Sequence, residues 1–112
     1  MSLELRRVII FTDNMAAMGT FYSEVLGLPA AGKAAGWRTY AAGPVEVALH
    51  QGSSMLGRRP PKLAFFAADV AATREALVAR GARMGRVMKS GDLLLCDGKD
   101  PDGNPFQISN RQ

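Results

Sequence analysis

The two halves of this 112-residue chain repeat one pattern, and this repeat restricts the possible folds more than any other feature. Each half contains an apolar run, a polar residue suited to cap a helix, and a stripe of apolar side chains that ends at a glycine. In the first half the apolar run is residues 5–12, the cap residue is Asn14 and the glycine is Gly27. In the second half the corresponding features are residues 62–68, Asp69 and Gly81. Residues 14–18 also align with residues 69–73. Internal duplication of one small unit explains the pattern.

Strand signals complete each unit. In the first half, residues 37–41 and 45–50 are predicted strands around the turn pair Gly43-Pro44, and residues 30–36 are predicted to be a glycine-rich connector. The second half has predicted strands near residues 86–89, 92–96 and 105–109, with a turn over residues 100–104. We interpret each half as a βαβββ module, which gives an α+β protein whose curved mixed sheets form a cup.

The two modules belong to one domain over residues 1–112. Module 1 is predicted over about residues 3–52 and module 2 over about residues 62–110. The segment between them, about residues 53–61, is rich in Gly, Ser and Pro and is predicted to be a linker.

Composition narrows the class of protein. Hydrophobic residues make up 47% and charged residues 21% of the chain, as in ordinary globular proteins, and no apolar run approaches the roughly 20 residues that span a bilayer. No secretory signal is visible, so we expect a cytoplasmic protein that does not bind membranes. The net charge of +4 is modest and the cations are scattered, apart from Arg58-Arg59, which argues against a nucleic-acid partner.

The chain has one histidine, His50, and one cysteine, Cys96. A single cysteine forms no internal disulfide, and one residue of each kind is too few for a Cys/His zinc cluster. Catalysis of the Ser-His-Asp or Cys-His type would have to use His50. Cys96 follows three leucines, with Lys99 as its nearest cation in sequence, so we expect an inert thiol.

Several segments resemble a known superfamily. Residues 21–28, Phe-Tyr-Ser-Glu-Val-Leu-Gly-Leu, resemble the helix of the vicinal oxygen chelate superfamily, which includes glyoxalase I, bleomycin-resistance proteins, fosfomycin-resistance enzymes and extradiol dioxygenases. Residues 100–108, Asp-Pro-Asp-Gly-Asn-Pro-Phe-Gln-Ile, resemble its C-terminal turn and closing strand. Residues 36–37 and 47–50 are similar to its second and fourth strands. The resemblance covers nearly the whole chain and implies the fold rather than one reaction.

The resemblance also implies a divalent metal held by inward side chains on the first and last strands of each half. The matching positions in this chain are Arg7, Ala48, Lys62 and Gln107. Only Gln107 has an oxygen that could bind a metal, and two cations a few ångström from a divalent ion repel it by several kcal/mol at an effective dielectric constant of about 20. A register error of one residue introduces no ligand on either first strand. We therefore expect no metal and no cofactor.

Six residues are candidate ligand-binding residues. Arg7 and Lys62 would make the cup cationic and suited to an anion, unless they pair with Glu46 or an aspartate, or face solvent. His50 lies on the same strand face as Ala48 and is the candidate general base or hydrogen-bond donor, or else a rim residue.

The other three candidates are an amide and two aromatic residues. Gln107 is predicted to orient a ligand through its amide or to be a satisfied buried polar group. Trp37 and Tyr40 lie on opposite faces of one strand, so at most one of them lines the cup. The other is predicted to pack on the helix or at an interface.

The sequence thus favours a metal-independent, glyoxalase-like protein that binds a small anionic or aromatic molecule, either as a binding protein or as a divergent enzyme. The resemblance further implies a homodimer. One alternative is a metal-dependent lyase, isomerase or dioxygenase, which would need at least three of Glu46, His50, Asp92, Asp97 and Gln107 to converge. A second alternative is sequestration of a drug such as bleomycin, which is disfavoured because a cationic cup repels a cationic ligand.

Overall fold

The computed structural model describes residues 7–52 and 62–111. These residues form two compact units, one on each side of residues 53–61. The predicted linker therefore lies outside the described residues, and its bounds stay a prediction. No helix in the described part of the chain is long and apolar enough to cross a membrane.

The first unit has the predicted order of one strand, one helix and three strands. Its elements are β1 (Arg7–Thr12), α1 (Met15–Thr20), a π-helical turn that continues α1 (Phe21–Val25), β2 (Ala30–Ala34), β3 (Trp37–Ala42) and β4 (Val45–Gln51). The strands form a sheet in the order β1-β4-β3-β2, with β1 parallel to β4 and the other pairs antiparallel. Gly43, at a φ of 71°, makes the tight turn between β3 and β4.

The predicted connector over residues 30–36 was wrong, because Ala30–Ala34 is the edge strand β2. This strand pairs with β3, and its register shifts between Ala30 and Gly32. All five of its residues are exposed, so no alternation of buried and exposed positions marks it. Pairing with the neighbouring strand, rather than local sequence, makes this segment extended.

The second unit repeats this order. Its elements are β5 (Leu63–Phe66), α2 (Val70–Ala79), β6 (Arg83–Met84), β7 (Met88–Ser90), β8 (Leu93–Lys99) and β9 (Pro105–Ser109). The sheet order is β5-β9-β8-β6, and β7 also pairs with β8. The strand predicted near residues 86–89 overlaps β7, whereas the short strand β6 was not predicted; both pair with β8. The α+β class and the two βαβββ modules are confirmed.

The two helices begin differently. Asp69 caps α2, since its carboxylate accepts a hydrogen bond of 3.0 Å from the backbone N–H of Ala72. Asn14 occupies the equivalent position before α1, but its side chain makes no capping hydrogen bond. Instead, the backbone N–H of Asn14 donates to Oγ1 of the buried Thr12 at 2.9 Å. The side-chain cap expected at Asn14 is therefore absent.

In each unit the helix covers one face of the sheet and leaves the other without a helix. In the first unit, Val47 and Leu49 of β4 are buried on the face that carries Met18 and Phe21 of the helical segment. In the second unit, the buried side chains facing α2 come from alternate positions of β8 and β9, namely Cys96, Phe106 and Ile108. We call the opposite faces the first and the second helix-free face.

Candidate functional site

The first helix-free face has three rows of side chains that run across β1, β4 and β3. Residues paired across neighbouring strands project from the same face, so the register defines each row. The rows are Arg7–Glu46–Ala41, Ile9–Ala48–Thr39 and Phe11–His50–Trp37. One end of this face is therefore charged and the other end is aromatic.

The aromatic row consists of Phe11, His50 and Trp37. The His50 ring lies 5.4 Å from the Phe11 ring and 5.5 Å from the Trp37 ring, both measured between centroids and both in edge-to-face geometry. Phe11 is 40% exposed and its neighbour Ile9 is 47% exposed, which is unusual for side chains of this size. Neither residue was predicted from the sequence, because only strand register places Phe11 beside His50 and Ile9 in the next row, beside Ala48.

His50 is held in one tautomer by its neighbour. Its Nδ1 lies 3.0 Å from the carbonyl oxygen of Gln51, and a carbonyl only accepts hydrogen bonds, so Nδ1 carries the proton in the neutral ring. Nε2 of the neutral ring then has a lone pair that can accept a hydrogen bond or a proton. His50 is exposed on the same face as Ala48, so it lies where the sequence predicted it.

Arg7 is ion-paired. Its Nη2 donates to Oε1 of Glu46 at 2.9 Å, and its Cζ lies 5.7 Å from the centroid of the Trp37 ring. The pairing with Glu46 that the sequence left open is the observed arrangement. Because the carboxylate offsets the guanidinium charge, this face does not present the uncompensated cation expected for an anion site.

Tyr40 is on the other face of the first sheet. It pairs with Val47, is buried, and its hydroxyl lies close to Gly19 of α1. Burial raises the pKa of this phenol, although the charge of Arg38 acts in the opposite direction. The prediction that Trp37 and Tyr40 lie on opposite faces is confirmed, and Tyr40 is separated from the other candidates because it packs in the core.

The second helix-free face carries Lys62, Asp97 and Gln107 in one cluster. Oδ1 of Asp97 accepts from Lys62 Nζ at 3.1 Å and from Gln107 Nε2 at 3.0 Å. Burial alone would raise the pKa of Asp97, but the hydrogen bonds from Gln107 and Lys62 and the lysine charge outweigh it and lower the pKa. Lys62 and Gln107 thus share one carboxylate, and the pairing of Lys62 with an aspartate that the sequence left open is the observed arrangement.

The superfamily's divalent metal does not fit the four matching positions. Arg7 and Lys62 are ion-paired, Ala48 has no donor atom, and the amide nitrogen of Gln107 donates to Asp97. Cations at two of the four positions oppose a divalent ion electrostatically. Among residues 7–52 and 62–111, no three His, Cys, Asp or Glu side chains are grouped so that they could hold a metal.

The alternative ligand set is spread along the strands of each unit. Glu46 and His50 are four residues apart on β4, which corresponds to roughly 13 Å of strand length. Asp92 precedes β8 and lies five residues before Asp97. Within a single unit, Asp97 and Gln107 are the pair of this set whose side chains meet.

Cys96 is fully buried on the helix side of the second sheet. Its Sγ lies 3.3 Å from the carbonyl oxygen of Gly85. Burial raises the pKa of the thiol, although Arg74 acts to lower it. A protonated, inaccessible thiol is a poor nucleophile, as the sequence predicted for this residue.

Comparison with solved structures shows the same fold in several bacterial proteins. A glyoxalase/bleomycin resistance protein/dioxygenase family enzyme from Burkholderia phytofirmans PsJN has a TM-score of 0.81 at 19% identity, covering 96% of this chain and 98% of that one. TnmS3, an antibiotic binding protein from Streptomyces sp. CB03234, has a TM-score of 0.80 at 18% identity, with coverages of 96% and 94%. Lactoylglutathione lyase from Agrobacterium tumefaciens has a TM-score of 0.76 at 17% identity, with coverages of 95% and 92%.

Sequence comparison gives the family. No curated protein matches the chain significantly. The family model described as a Glyoxalase-like domain matches residues 7–109, which is nearly the whole chain and includes both βαβββ units. Together with the fold shared with glyoxalase/bleomycin resistance/dioxygenase proteins, this match shows that the chain belongs to the Glyoxalase-like domain family, within the vicinal oxygen chelate superfamily.

Proposed function

We propose that this protein binds a small planar aromatic molecule, without a metal ion, at the aromatic row of the first helix-free face. The observation that supports this proposal is the row itself, in which Phe11, His50 and Trp37 lie side by side across three strands. A planar ligand gains apolar contact with Phe11 and Ile9, which are otherwise exposed to water.

Polar groups beside this row would orient the ligand. His50 Nε2 accepts a hydrogen bond from a hydroxyl or amide of the ligand, since Nδ1 already donates to the backbone. The Arg7–Glu46 pair offers both a donor and an acceptor near Trp37. If the protein is an enzyme, His50 is the residue on this face that can take up a proton from a bound molecule.

At this face, the geometry favours an aromatic ligand over an anionic one. An anion would have to compete with Glu46 for Arg7, and the carboxylate is already in contact at 2.9 Å. Aromatic contacts have no such competitor, and each ring pair contributes about 0.5–1.5 kcal/mol beyond the area that it buries.

The proposal can be tested by fluorescence, because Trp37 is the only tryptophan of the chain. Titration with aromatic acids, amides and quinones of two and three rings should change the Trp37 emission for at least one class. Phe11→Ala should then weaken binding about tenfold, corresponding to the loss of one aromatic contact. Val78→Ala is the control, because Val78 is 43% exposed but lies on helix α2 rather than on a helix-free face.

Two results would contradict this proposal. One is the absence of any change in Trp37 emission across the panel. The other is an equal loss of affinity in Phe11→Ala and Val78→Ala, because binding would then not depend on the aromatic row. Calorimetry with the same ligands shows whether emission changes reflect binding.

The exposed apolar side chains of β1 also bear on the proposed homodimer. Ile9 and Phe11 could be covered by a second copy of the chain instead of a ligand. Sedimentation of wild type and Ile9→Asp distinguishes the two. A ligand site predicts the same oligomeric state for both proteins, whereas an interface predicts that Ile9→Asp dissociates the dimer.

A second candidate function, sequestration of an antibiotic, is favoured by the charge balance of this face. Glu46 offsets Arg7, so the repulsion that disfavoured a cationic drug is absent here. The structural neighbour TnmS3 is an antibiotic binding protein. Including bleomycin and an uncharged polycyclic antibiotic in the titration tests this candidate, and it fails if neither binds more tightly than simple aromatic acids.

A further inference from the structure

A cleft of about 480 Å³ on the second unit is bordered by three cations and one acid. The charged residues in its lining are Lys62, Arg83, Lys99 and Asp97. Arg83 of β6 and Lys99 of β8 are direct partners in the antiparallel ladder, so both side chains project from the second helix-free face. The cleft is therefore built on the open side of this sheet, away from α2.

The charges around this cleft do not balance. Asp97 is the one acid among the described residues that line it, and its Oδ1 is engaged by Lys62 and Gln107. Arg83 uses one guanidinium nitrogen to donate to the backbone carbonyl of Asp100 at 3.0 Å. No salt bridge of Lys99 is found within the described residues. Within residues 7–52 and 62–111, two positive charges in register are thus left without a carboxylate partner.

Like charges directly opposite each other on neighbouring strands destabilise a sheet. A ligand with two negative charges would offset both cations and remove this cost. The contact between Arg83 and the Asp100 carbonyl orients the guanidinium, which leaves its other N–H groups for a ligand. Arginine binds tetrahedral oxyanions with paired N–H groups, and lysine adds a point charge.

We propose that this cleft binds the phosphoryl group of a small phosphomonoester, held between Arg83 and Lys99. The volume is larger than one phosphate ion needs and lies within the range of about 300–1,000 Å³ typical of small-molecule sites. The remaining space accommodates the organic part of the ligand beside Pro105. All of these residues belong to the second unit, whereas the aromatic row belongs to the first.

The test is calorimetric titration of the full chain with inorganic phosphate and with glycerol phosphate at low ionic strength. Wild type should bind both, and glycerol phosphate more tightly. Lys99→Gln and Arg83→Gln should each weaken binding at least tenfold. Arg83→Lys should fall between wild type and Arg83→Gln, because it keeps the charge and loses the paired donors. Lys89→Gln is the control, since Lys89 is exposed in the same unit but does not line the cleft.

Thermal unfolding gives an independent readout. Without phosphate, Lys99→Gln should be at least as stable as wild type, because it removes the like-charge pair. With phosphate, wild type should gain more in melting temperature than Lys99→Gln. The proposal is overturned if phosphate binds no better than chloride, or if Lys89→Gln weakens binding as much as Lys99→Gln. If phosphate binds without changing the Trp37 emission, binding at this cleft is distinguished from binding at the aromatic row.

Discussion

At the scale of single residues, the positions of the candidate side chains agree with the expectation from sequence better than their contacts do. Arg7 and Lys62 lie on helix-free faces, as the anion hypothesis requires, but each contacts a carboxylate. Asp97 also accepts from Gln107, so three of the polar groups on the second face are tied to one another. These contacts make Asp97 a residue whose ionisation affects stability.

Asp97→Asn should therefore reduce the free energy of unfolding near neutral pH. The side chain is 51% exposed, so we expect a loss of at most about 1 kcal/mol. The pKa of Asp97 is lowered in the folded state, so its contribution is present above the unfolded pKa of about 3.9 and disappears as the pH falls through the folded value. Urea unfolding at several pH values measures this difference.

The difference between wild type and Asp97→Asn should shrink towards zero as the pH falls through the lowered folded-state pKa of Asp97. Asp13→Asn provides the control, because Asp13 is an exposed aspartate in neither salt bridge of the described residues. A difference between wild type and Asp97→Asn that is the same at acid and neutral pH would contradict the prediction.

At the scale of elements, the two units show how one pattern is built with different local contacts. Both helices follow a first strand through a polar residue, but only Asp69 accepts a hydrogen bond from the first turn. The second strand is continuous in the first unit and split into β6 and β7 in the second. Duplicated units thus conserve the order of elements rather than individual contacts.

Substitution of the two cap residues should have unequal effects. Asp69→Ala removes the acceptor for the Ala72 N–H and should cost about 1 kcal/mol of unfolding free energy. Asn14→Ala should cost clearly less, because the Asn14 side chain makes no capping hydrogen bond. Denaturant unfolding measures the free energy of unfolding of both variants. Equal losses in the two would show that the difference in caps has no energetic consequence.

At the scale of the whole molecule, the chain has the fold of a superfamily of metal enzymes but not a matching donor set. The positions that correspond to metal ligands contain two ion-paired cations, an alanine and a glutamine. Divalent ions prefer carboxylate or imidazole ligands, and nearby cations repel them. These positions therefore lack the set of donor atoms that metal chemistry of this kind requires.

Purified protein should accordingly contain no stoichiometric Zn, Ni, Mn or Fe. Elemental analysis after dialysis measures the content directly, and EDTA should leave the melting temperature unchanged, because a structural metal would stabilise the folded state. One metal ion per chain that EDTA removes with a fall in melting temperature would support the metal-dependent alternative.

The sequence by itself determined the duplicated βαβββ frame, the α+β class, the cap at Asp69 and the separation of Trp37 from Tyr40. These follow from periodicity and capping, which are local properties. Only the tertiary structure decided that Ala30–Ala34 is a strand, that Glu46 and Asp97 offset Arg7 and Lys62, and that Phe11 lies beside His50 and Arg83 opposite Lys99. The physical reason is strand register, which pairs residues far apart in sequence and which local patterns do not encode.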